Sequence, residues 1–239
     1  MSSRRTFLAH STAAAAVGLL ASARVLGANN RVRLGLIGGG GRGTEIFKTA
    51  LAQPNVEAVA VADVYTRQLD AMRAAVPGIA TYTDFRRLLD DKSIDAVMIA
   101  TPQHLHALHF VPAIEAGKDV YQEKTMAFNP EFAKRMRRAL AHSKQIAQIG
   151  MQSCSGPDLA QARALLTPDQ MGTLSAIHAH MYRNAPYGGW RRTPPADCNP
   201  AHIHSWEAFE GDAARHPFSA ERFINWRFFW DYSGGNCFE

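Results

Sequence analysis

A glycine-rich turn between an apolar run and a helical segment constrains this chain more than any other feature. Residues 31–43 read RVRLGLIGGGGRG, in which Gly38, Gly40 and Gly43 fit the spacing G-x-G-x-x-G, and a helical pattern follows over 44–51. A strand, a glycine turn and a helix in this order are typical of dinucleotide-binding proteins. The first glycine permits the tight turn, the second lets the backbone approach a pyrophosphate, and the third lets the helix pack closely on the strand. The helix N-terminus then attracts the phosphates through its N–H groups and its dipole.

A second apolar run, Val56–Ala62, ends at an acidic residue that fits this interpretation. Asp63 lies 20 residues after Gly43, where a carboxylate accepts hydrogen bonds from the hydroxyls of the adenosine ribose. Because a carboxylate repels a 2′-phosphate, the sequence predicts NAD in preference to NADP. Arg67 nearby keeps NADP open as an alternative. The predicted cofactor-binding residues at this end of the site are Gly38, Gly40, Arg42, Gly43, Asp63 and Arg67.

Strands and helices alternate up to residue 150, which predicts an α/β fold with a Rossmann-type doubly wound parallel sheet. The predicted strands cover 32–37, 56–62, a short segment at Tyr82, 94–100, 119–122 and 147–150. The predicted helices cover 44–51, 66–75, a segment capped by Asp84, 106–116 and 130–143.

The pattern changes after residue 150. A helix is predicted over 158–166, a strand over 174–182 and a long loop over 183–205. One strand cannot form a stable sheet, so we interpret residues 151–239 as the beginning of a second domain in a truncated sequence. The predicted domains are a nucleotide-binding domain over 29–150 and an incomplete substrate and oligomerisation domain over 151–239.

The first 28 residues predict a twin-arginine signal peptide. Ser3–Leu8 reads SRRTFL, an alanine-rich apolar stretch follows over 12–21, and Ala21-Ser22-Ala23 or Leu26-Gly27-Ala28 provides a cleavage site. The apolar part is too short to span a bilayer well. The expected location is therefore periplasmic or otherwise extracytoplasmic.

Composition argues against several other classes of protein. The net charge of +5 falls to +2 without the three arginines of the predicted signal, and no basic stripe interleaved with aromatic residues indicates a nucleic-acid partner. Cys154, Cys198 and Cys237 are far apart and odd in number, so they predict neither a disulfide framework nor a metal site.

Polar residues follow the predicted strands at the edge of the sheet where ligands bind in open parallel folds. Thr101-Pro102, after the fourth strand, is predicted to contact the nicotinamide ribose, and His104 and His106, the latter near the start of the next helix, are further predicted cofactor contacts. Helix capping or packing is an equally good interpretation of the histidines here. A metal site is not predicted, because His104, His106 and His109 do not all share one helix face.

Lys124 is the predicted catalytic residue. It follows the fifth strand directly after Glu123. A lysine beside a cofactor can have a lowered pKa, and it can orient or deprotonate a substrate hydroxyl. The alternative is a solvated lysine paired with Glu123.

Together, the glycine loop, Asp63, Thr101-Pro102 with His106, and Glu123-Lys124 resemble the Gfo/Idh/MocA family, which includes glucose–fructose oxidoreductase and inositol dehydrogenase. The resemblance extends over residues 31–239, and the run from Asn225 to Gly235 is similar to the exported branch. It implies a Rossmann domain followed by an α/β domain with a large, mostly antiparallel open sheet. It also implies a nicotinamide cofactor, a sugar, cyclitol or polyol substrate, and a homo-oligomer formed through the second sheet.

The resemblance also assigns roles to individual residues. It implies that Lys124 is catalytic and contacts substrate, and that Glu123 and Gln152 contact the cofactor. His178 and His180 share one face of the predicted strand, which in the family can face the substrate; a solvent or interface role is an open alternative. The further predicted substrate contacts are His180, Tyr182 and Arg183, with Trp190 as another aromatic candidate.

The chain departs from the family pattern at three places. Thr125 replaces the proline of Glu-Lys-Pro, Cys154 replaces the arginine of Gln-x-Arg, and the family's catalytic histidine is expected beyond residue 239. Three functions remain open: an NAD(P)-dependent oxidoreductase, a glycosidase that uses NAD for transient oxidation and elimination, and a non-catalytic protein that binds nucleotide or sugar.

Overall fold

The computed structural model describes residues 31–180, 184 and 189–235, and six strands within them form one sheet with the order β3-β2-β1-β4-β5-β6. All five strand pairs are parallel. The strands are β1 (Val32–Ile37), β2 (Val56–Ala62), β3 (Ala80–Tyr82), β4 (Ala96–Ile99), β5 (Asp119–Glu123) and β6 (Ala147–Gly150). The order reverses at β1, so a crevice opens at the carboxyl ends of β1 and β4, where such folds bind ligands.

Helices connect the parallel strands, because each crossover needs a dozen or more residues. They are α1 (Gly41–Leu51), α2 (Thr66–Ala75), α3 (Phe85–Asp90), α4 (His106–Glu115) and α5 (Pro130–Ala141). Four further helices of the described residues follow the last strand: α6 (Pro157–Leu165), α7 (Pro168–Met171), α8 (Trp206–Glu210) and α9 (Ala220–Ile224). Two 3₁₀ helices cover Gln103–Leu105 and Trp226–Phe228.

The helices cover both faces of the sheet. Phe47 of α1 and Met72 of α2 are completely buried in one hydrophobic cluster, and Leu88 of α3 and Phe110 of α4 are buried in a second. Together with the parallel strand order, this packing confirms the predicted doubly wound fold. Among the described residues, no helix has the length and apolar character needed to cross a membrane.

Local patterns located most of the predicted elements to within two residues, with two larger differences. Helix α1 begins at Gly41, three residues before the predicted start. Gly41 and Gly43 of the glycine-rich loop therefore lie in the first turn of the helix. The predicted strand over 174–182 is wrong for residues 174–180, which form no strand and are exposed. A strand needs a neighbour for its backbone hydrogen bonds, and none of the described residues pairs with this segment. The antiparallel sheet and the boundary at residue 150 remain predictions.

Residues 189–235, which we call the C-terminal segment, pack against the carboxyl edge of the sheet. The His204 N–H donates to the Val64 carbonyl at 2.7 Å, and the Thr66 N–H donates to the His202 carbonyl at 2.9 Å. At the other end, the side-chain amide of Gln103 donates to Ser233 Oγ at 2.8 Å. These bonds hold the C-terminal segment beside the crevice.

Candidate functional site

A cleft of about 680 Å³ lies between the carboxyl edge of the sheet and the C-terminal segment. Most residues that the sequence analysis singled out line it, although their strands lie far apart along the chain. The predicted site residues in its walls are Gly38, Gly40, Arg42, Asp63, Arg67, Thr101, Pro102, Glu123, Lys124 and Gln152.

The glycine turn forms a close contact on one side and an open cradle on the other. Gly38 has φ +95°, and a Cβ there would lie 2.9 Å from the backbone of Ala100. A Cβ on Gly43 would clash with the carbonyl oxygen of Gly38, whereas a Cβ on Gly40 or Gly41 would meet no atom within 4 Å. The first and third glycines of the motif therefore serve packing, and the middle of the turn leaves room for a ligand.

Helix α1 presents its N-terminus to this cradle. Gly40 provides no side-chain cap, and the first turn contains no acidic residue. The N–H groups of a helix start have no intrahelical partner and carry a partial positive charge. The open backbone and the uncapped helix end fit the pyrophosphate of a dinucleotide.

Asp63 lies at the end of β2 and faces the same cradle. Its Oδ2 accepts a hydrogen bond from the Gly39 N–H at 2.8 Å, and its Oδ1 accepts one from the Tyr65 N–H at 2.9 Å. Burial raises the pKa of Asp63 to about 6, although these N–H donors favour the carboxylate. The side chain is thus fixed in position and can still accept hydrogen bonds from a ribose.

Arg67 lines the same end of the cleft but already has a carboxylate partner. Its Nη2 lies 2.6 Å from Asp197 Oδ1, and its Nε lies 2.8 Å from Asp197 Oδ2. The sequence analysis did not single out Asp197, and no local signal connects two residues that are 130 positions apart.

The histidines after β4 are held by hydrogen bonds inside the protein. His104 and His106 are buried behind the cleft and do not line it. His104 Nε2 lies 2.7 Å from the Phe209 carbonyl oxygen, and burial lowers the pKa of His104 to about 4. Both side chains therefore pack within the protein, as the alternative interpretation of these histidines expected, and their predicted cofactor contact stays a prediction.

His106 instead connects two loops at the edge of the cleft. Its Nε2 lies 2.9 Å from the Thr101 carbonyl oxygen, and its Nδ1 lies 2.5 Å from that of Thr125. The first loop carries Thr101 and Pro102, and the second carries Lys124. This buried side chain thus sets the spacing between the predicted nicotinamide contacts and the predicted catalytic residue.

His109 lines the cleft, a position that the sequence analysis missed because it weighed this histidine only as a metal ligand. Its Nδ1 lies 3.1 Å from Thr101 Oγ1. Burial lowers the pKa of His109 to about 3, so the ring is neutral at ordinary pH. Within the described residues, no group of three His, Cys, Asp or Glu side chains could hold a metal ion.

Glu123 joins the glycine turn to the loop that carries Lys124. The carboxylate is buried, its Oε1 accepts from Arg42 Nε at 2.9 Å, and its Oε2 accepts from the Lys124 N–H at 3.2 Å. The peptide bond between Lys124 and Thr125 is cis. Lys124 itself lies in the wall of the cleft, next to the Glu123 carboxylate that is bonded to Arg42 of α1.

Two tryptophans and an arginine of the C-terminal segment also line the cleft. The Arg227 guanidinium lies 4.2 Å from the centre of the Trp226 ring and 5.4 Å from that of Trp190. Trp190 was an aromatic candidate from the sequence. Flat aromatic rings beside a planar donor suit the faces and hydroxyls of a polyol.

The remaining predicted substrate contacts fall elsewhere. His180 is exposed, its ring is stacked on His178 with 6.4 Å between centroids, and it does not line the cleft. The segment that carries it forms no strand beside the cleft, so the predicted substrate contact of His180 stays a prediction. Tyr182 and Arg183 lie outside the described residues, as do Cys237 and the predicted signal peptide. Gly43 lies beneath the turn and serves packing only.

Comparison with known proteins adds to this geometry. Residues 32–151 match the Gfo/Idh/MocA family, described as an oxidoreductase family with an NAD-binding Rossmann fold. A family 109 glycosyl hydrolase of Stenotrophomonas maltophilia is 37% identical over 125 residues, which are 48% of this chain and 28% of that protein. The levoglucosan dehydrogenase of Pseudarthrobacter phenanthrenivorans is 31% identical over 154 residues, which are 60% of this chain and 39% of that protein.

A solved structure shows the same fold. The WlbA dehydrogenase of Bordetella pertussis, in complex with NADH and UDP-GlcNAcA, superimposes with a TM-score of 0.52 at 29% identity. The match covers 56% of this chain and 41% of that one. The chain thus spans less than half the length of each of these three proteins.

Proposed function

This chain belongs to the Gfo/Idh/MocA family of oxidoreductases with an NAD-binding Rossmann fold, and from this premise we propose that it acts as an NAD-dependent dehydrogenase. Hydride would move between the nicotinamide and a carbon of a sugar, cyclitol or related polyol. The observation that carries the proposal is that the glycine turn, Asp63 and Lys124 line one cleft. Relatives described as sugar dehydrogenases, such as the levoglucosan enzyme, support the substrate class.

The cofactor contacts follow from the geometry of the cleft. The uncapped start of α1 and the open space at Gly40 and Gly41 would hold the pyrophosphate. Asp63 would accept the hydroxyls of the adenosine ribose. Thr101 and Pro102, at the end of β4, would contact the nicotinamide side. The bound nicotinamide supplies the hydride acceptor or donor.

Lys124 would handle the proton of the substrate hydroxyl. It lines the cleft at the end of β5, and its backbone is held by Glu123 while the next residue is held by His106. A positioned amine can accept a proton from an alcohol as the alcohol becomes a carbonyl, and it can return the proton in the reverse reaction. The conformation of its loop is thus determined by two buried side chains.

Direct binding and turnover test the proposal. The full chain is titrated with NADH and NADPH, followed by fluorescence, and is then assayed for NAD⁺ reduction with levoglucosan and myo-inositol. Saturable binding that prefers NADH, together with reduction by at least one of these polyols, is the expected result. A folded protein that binds neither dinucleotide would contradict the proposal.

The glycosidase similarity motivates a second candidate function. In that chemistry, oxidation of a ring hydroxyl acidifies the neighbouring C–H bond, the aglycone is eliminated, water adds, and the ketone is reduced again. The same cleft and the same lysine would serve it, and the 37% identity to the family 109 glycosyl hydrolase favours it. Release of nitrophenol from an aryl glycoside without net formation of NADH would distinguish it from the dehydrogenase.

We also propose that the protein is exported by the twin-arginine route and forms a homo-oligomer. The SRRTFL motif and the A-x-A site support export, and that route carries folded proteins with their cofactor. Fusion of residues 1–28 to a reporter tests export, with Arg4→Lys/Arg5→Lys as the control that should block it. Light scattering of the purified full chain tests the oligomer.

A further inference from the structure

We propose that Asp197 makes the cleft select NAD over NADP by occupying Arg67, the arginine that would otherwise bind a 2′-phosphate. This inference rests on the proposed function, because it concerns the dinucleotide of the same cleft. It assigns a role in specificity to a residue of the C-terminal segment, outside the nucleotide-binding fold.

Arg67 has the position that an NADP-binding arginine needs. It is the second residue of α2, four residues after Asp63, and both side chains line one end of the cleft. In Rossmann folds, an acidic residue at the end of the second strand accepts the ribose 2′-hydroxyl, and a nearby arginine accommodates the 2′-phosphate. The chain therefore carries a residue of each kind.

Asp197 neutralises that arginine. The ion pair is bidentate, with Arg67 Nη2 2.6 Å from Oδ1 and Nε 2.8 Å from Oδ2. The Tyr65 hydroxyl also donates to Asp197 Oδ1 at 2.8 Å. These donors hold the pKa of Asp197 at about 2, so the carboxylate stays charged. A 2′-phosphate would have to displace it and would meet two carboxylates, Asp63 and Asp197, at once.

The backbone around Asp197 is anchored independently of the ion pair. Tyr65 and Ile203 form an isolated antiparallel bridge, and Cys198 and Ile203 are buried against Tyr65. The surrounding bonds from His204 to Val64 and from Thr66 to His202 fasten the same segment to the loop after β2. The carboxylate is therefore brought to Arg67 by packing, and it does not depend on an exposed salt bridge for its position.

Dinucleotide titrations of charge variants test this role. Dissociation constants for NADH and NADPH are measured by fluorescence for the full chain, for Asp197→Asn and for Asp212→Asn. Asp212 lies on the same segment, paired with Arg135 at 3.9 Å and outside the cleft, so its variant removes an equal charge at a distance. Asp197→Asn can still accept from Tyr65, which preserves that contact.

We expect Asp197→Asn to raise NADPH affinity about tenfold, the effect of one freed charge-assisted hydrogen bond, while NADH affinity stays within about twofold. The double variant Asp197→Asn/Arg67→Ala should lose that gain, because Arg67 is the group released. Asp212→Asn should leave the ratio of the two affinities unchanged. If circular dichroism shows that Asp197→Asn does not fold, Asp197→Ser is titrated in its place.

The possible failures are distinguishable. NADH binding that persists while Asp197→Asn leaves the ratio unchanged, or an equal gain in Asp212→Asn, would overturn the role of Asp197 alone. A folded wild-type chain that binds neither dinucleotide would contradict the proposed function, and this inference with it.

Discussion

The carboxylate of Asp63 accepts a hydrogen bond from the backbone N–H of Gly39 at 2.8 Å. This bond joins the end of β2 to the glycine turn after β1, across 24 residues of sequence. The group that would recognise the ribose is thereby fixed against the loop that would hold the pyrophosphate. Cofactor recognition at the two positions is therefore coupled through one side chain.

This arrangement predicts a pH dependence of cofactor binding. Burial raises the pKa of Asp63 to about 6, so lowering the pH through 6 protonates the group that should accept the ribose hydroxyls. Affinity for NAD⁺ should therefore fall as the pH drops from 8 to 5, measured by isothermal titration calorimetry. Asp63→Asn should bind NAD⁺ weakly throughout, with little pH dependence. A wild-type affinity that is flat over this range would contradict the ribose assignment.

The raised pKa of Asp63 also predicts how the unfolding free energy changes with pH. The folded-state pKa of Asp63 lies above its ordinary value of 3.8, so the folded state binds the proton more tightly than the unfolded state does. The stability associated with this group is present below a pH of about 4 and is lost as the pH rises through about 6. The Asp63→Asn variant has no carboxyl group to ionise, so it should not lose this stability as the pH rises. Urea unfolding of both proteins from pH 4 to 8 should therefore show a difference in unfolding free energy that changes over this window.

The glycines of the turn should respond differently to alanine. Gly43→Ala would drive a Cβ into the carbonyl of Gly38, and such overpacking costs about 1–3 kcal/mol. Gly41→Ala meets no atom within 4 Å, so the fold should be retained while NADH binding weakens, because the methyl group enters the cradle. Thermal melting and NADH titration of the two variants separate the effects. Equal loss of stability in both would contradict the division between packing and binding.

The strands and the cleft edge were predictable because they depend on local patterns. The sequence located β1, β2 and β6 and helix α2 at the bounds that the structure shows. In each case an apolar period or a flanking turn residue lies within a few positions of the element. Once parallel strands were assigned, the meeting of their carboxyl ends at one edge followed from topology.

The features of the site that the sequence did not reveal depend on contacts between residues far apart in the chain. Nothing near Asp197 indicates that it pairs with Arg67, because the loop that carries it is brought there by the bridge at Ile203. His104 and His106 were assigned to the cofactor from their place after β4, but packing against Phe209 and Thr125 draws both rings behind the cleft. The segment with His180 has an extended pattern, yet a strand also requires a partner that a local pattern cannot supply.

A buried lysine outside the cleft offers a test of the fold alone. The Lys118 ammonium is buried and donates to the carbonyls of Asp91 at 2.7 Å and Ile94 at 2.8 Å. Lys118→Met keeps most of the length of the side chain but removes the donor of the Ile94 carbonyl and leaves the Asp91 carbonyl with only the Ile94 N–H at 3.3 Å, so we expect a loss of about 1–3 kcal/mol in unfolding free energy. NADH affinity at a temperature where the variant is folded should be unchanged. A large loss of affinity would show that the cleft depends on this distant anchor.

Lys124→Ala should separate chemistry from binding. Lys124 lines the cleft, but the backbone bonds that hold its loop come from Glu123 and His106. Removing the amine should therefore lower kcat by about 10²–10⁴, with the Kd for NADH within about threefold of wild type. Lys134→Ala, at an exposed lysine paired with Glu131, is the matched control and should leave both unchanged. Steady-state rates with a polyol that the wild type oxidises measure the effect.

Unchanged turnover in Lys124→Ala would assign the proton transfer to another group. A wild type that binds NADH and oxidises no polyol would instead favour a non-catalytic binding protein.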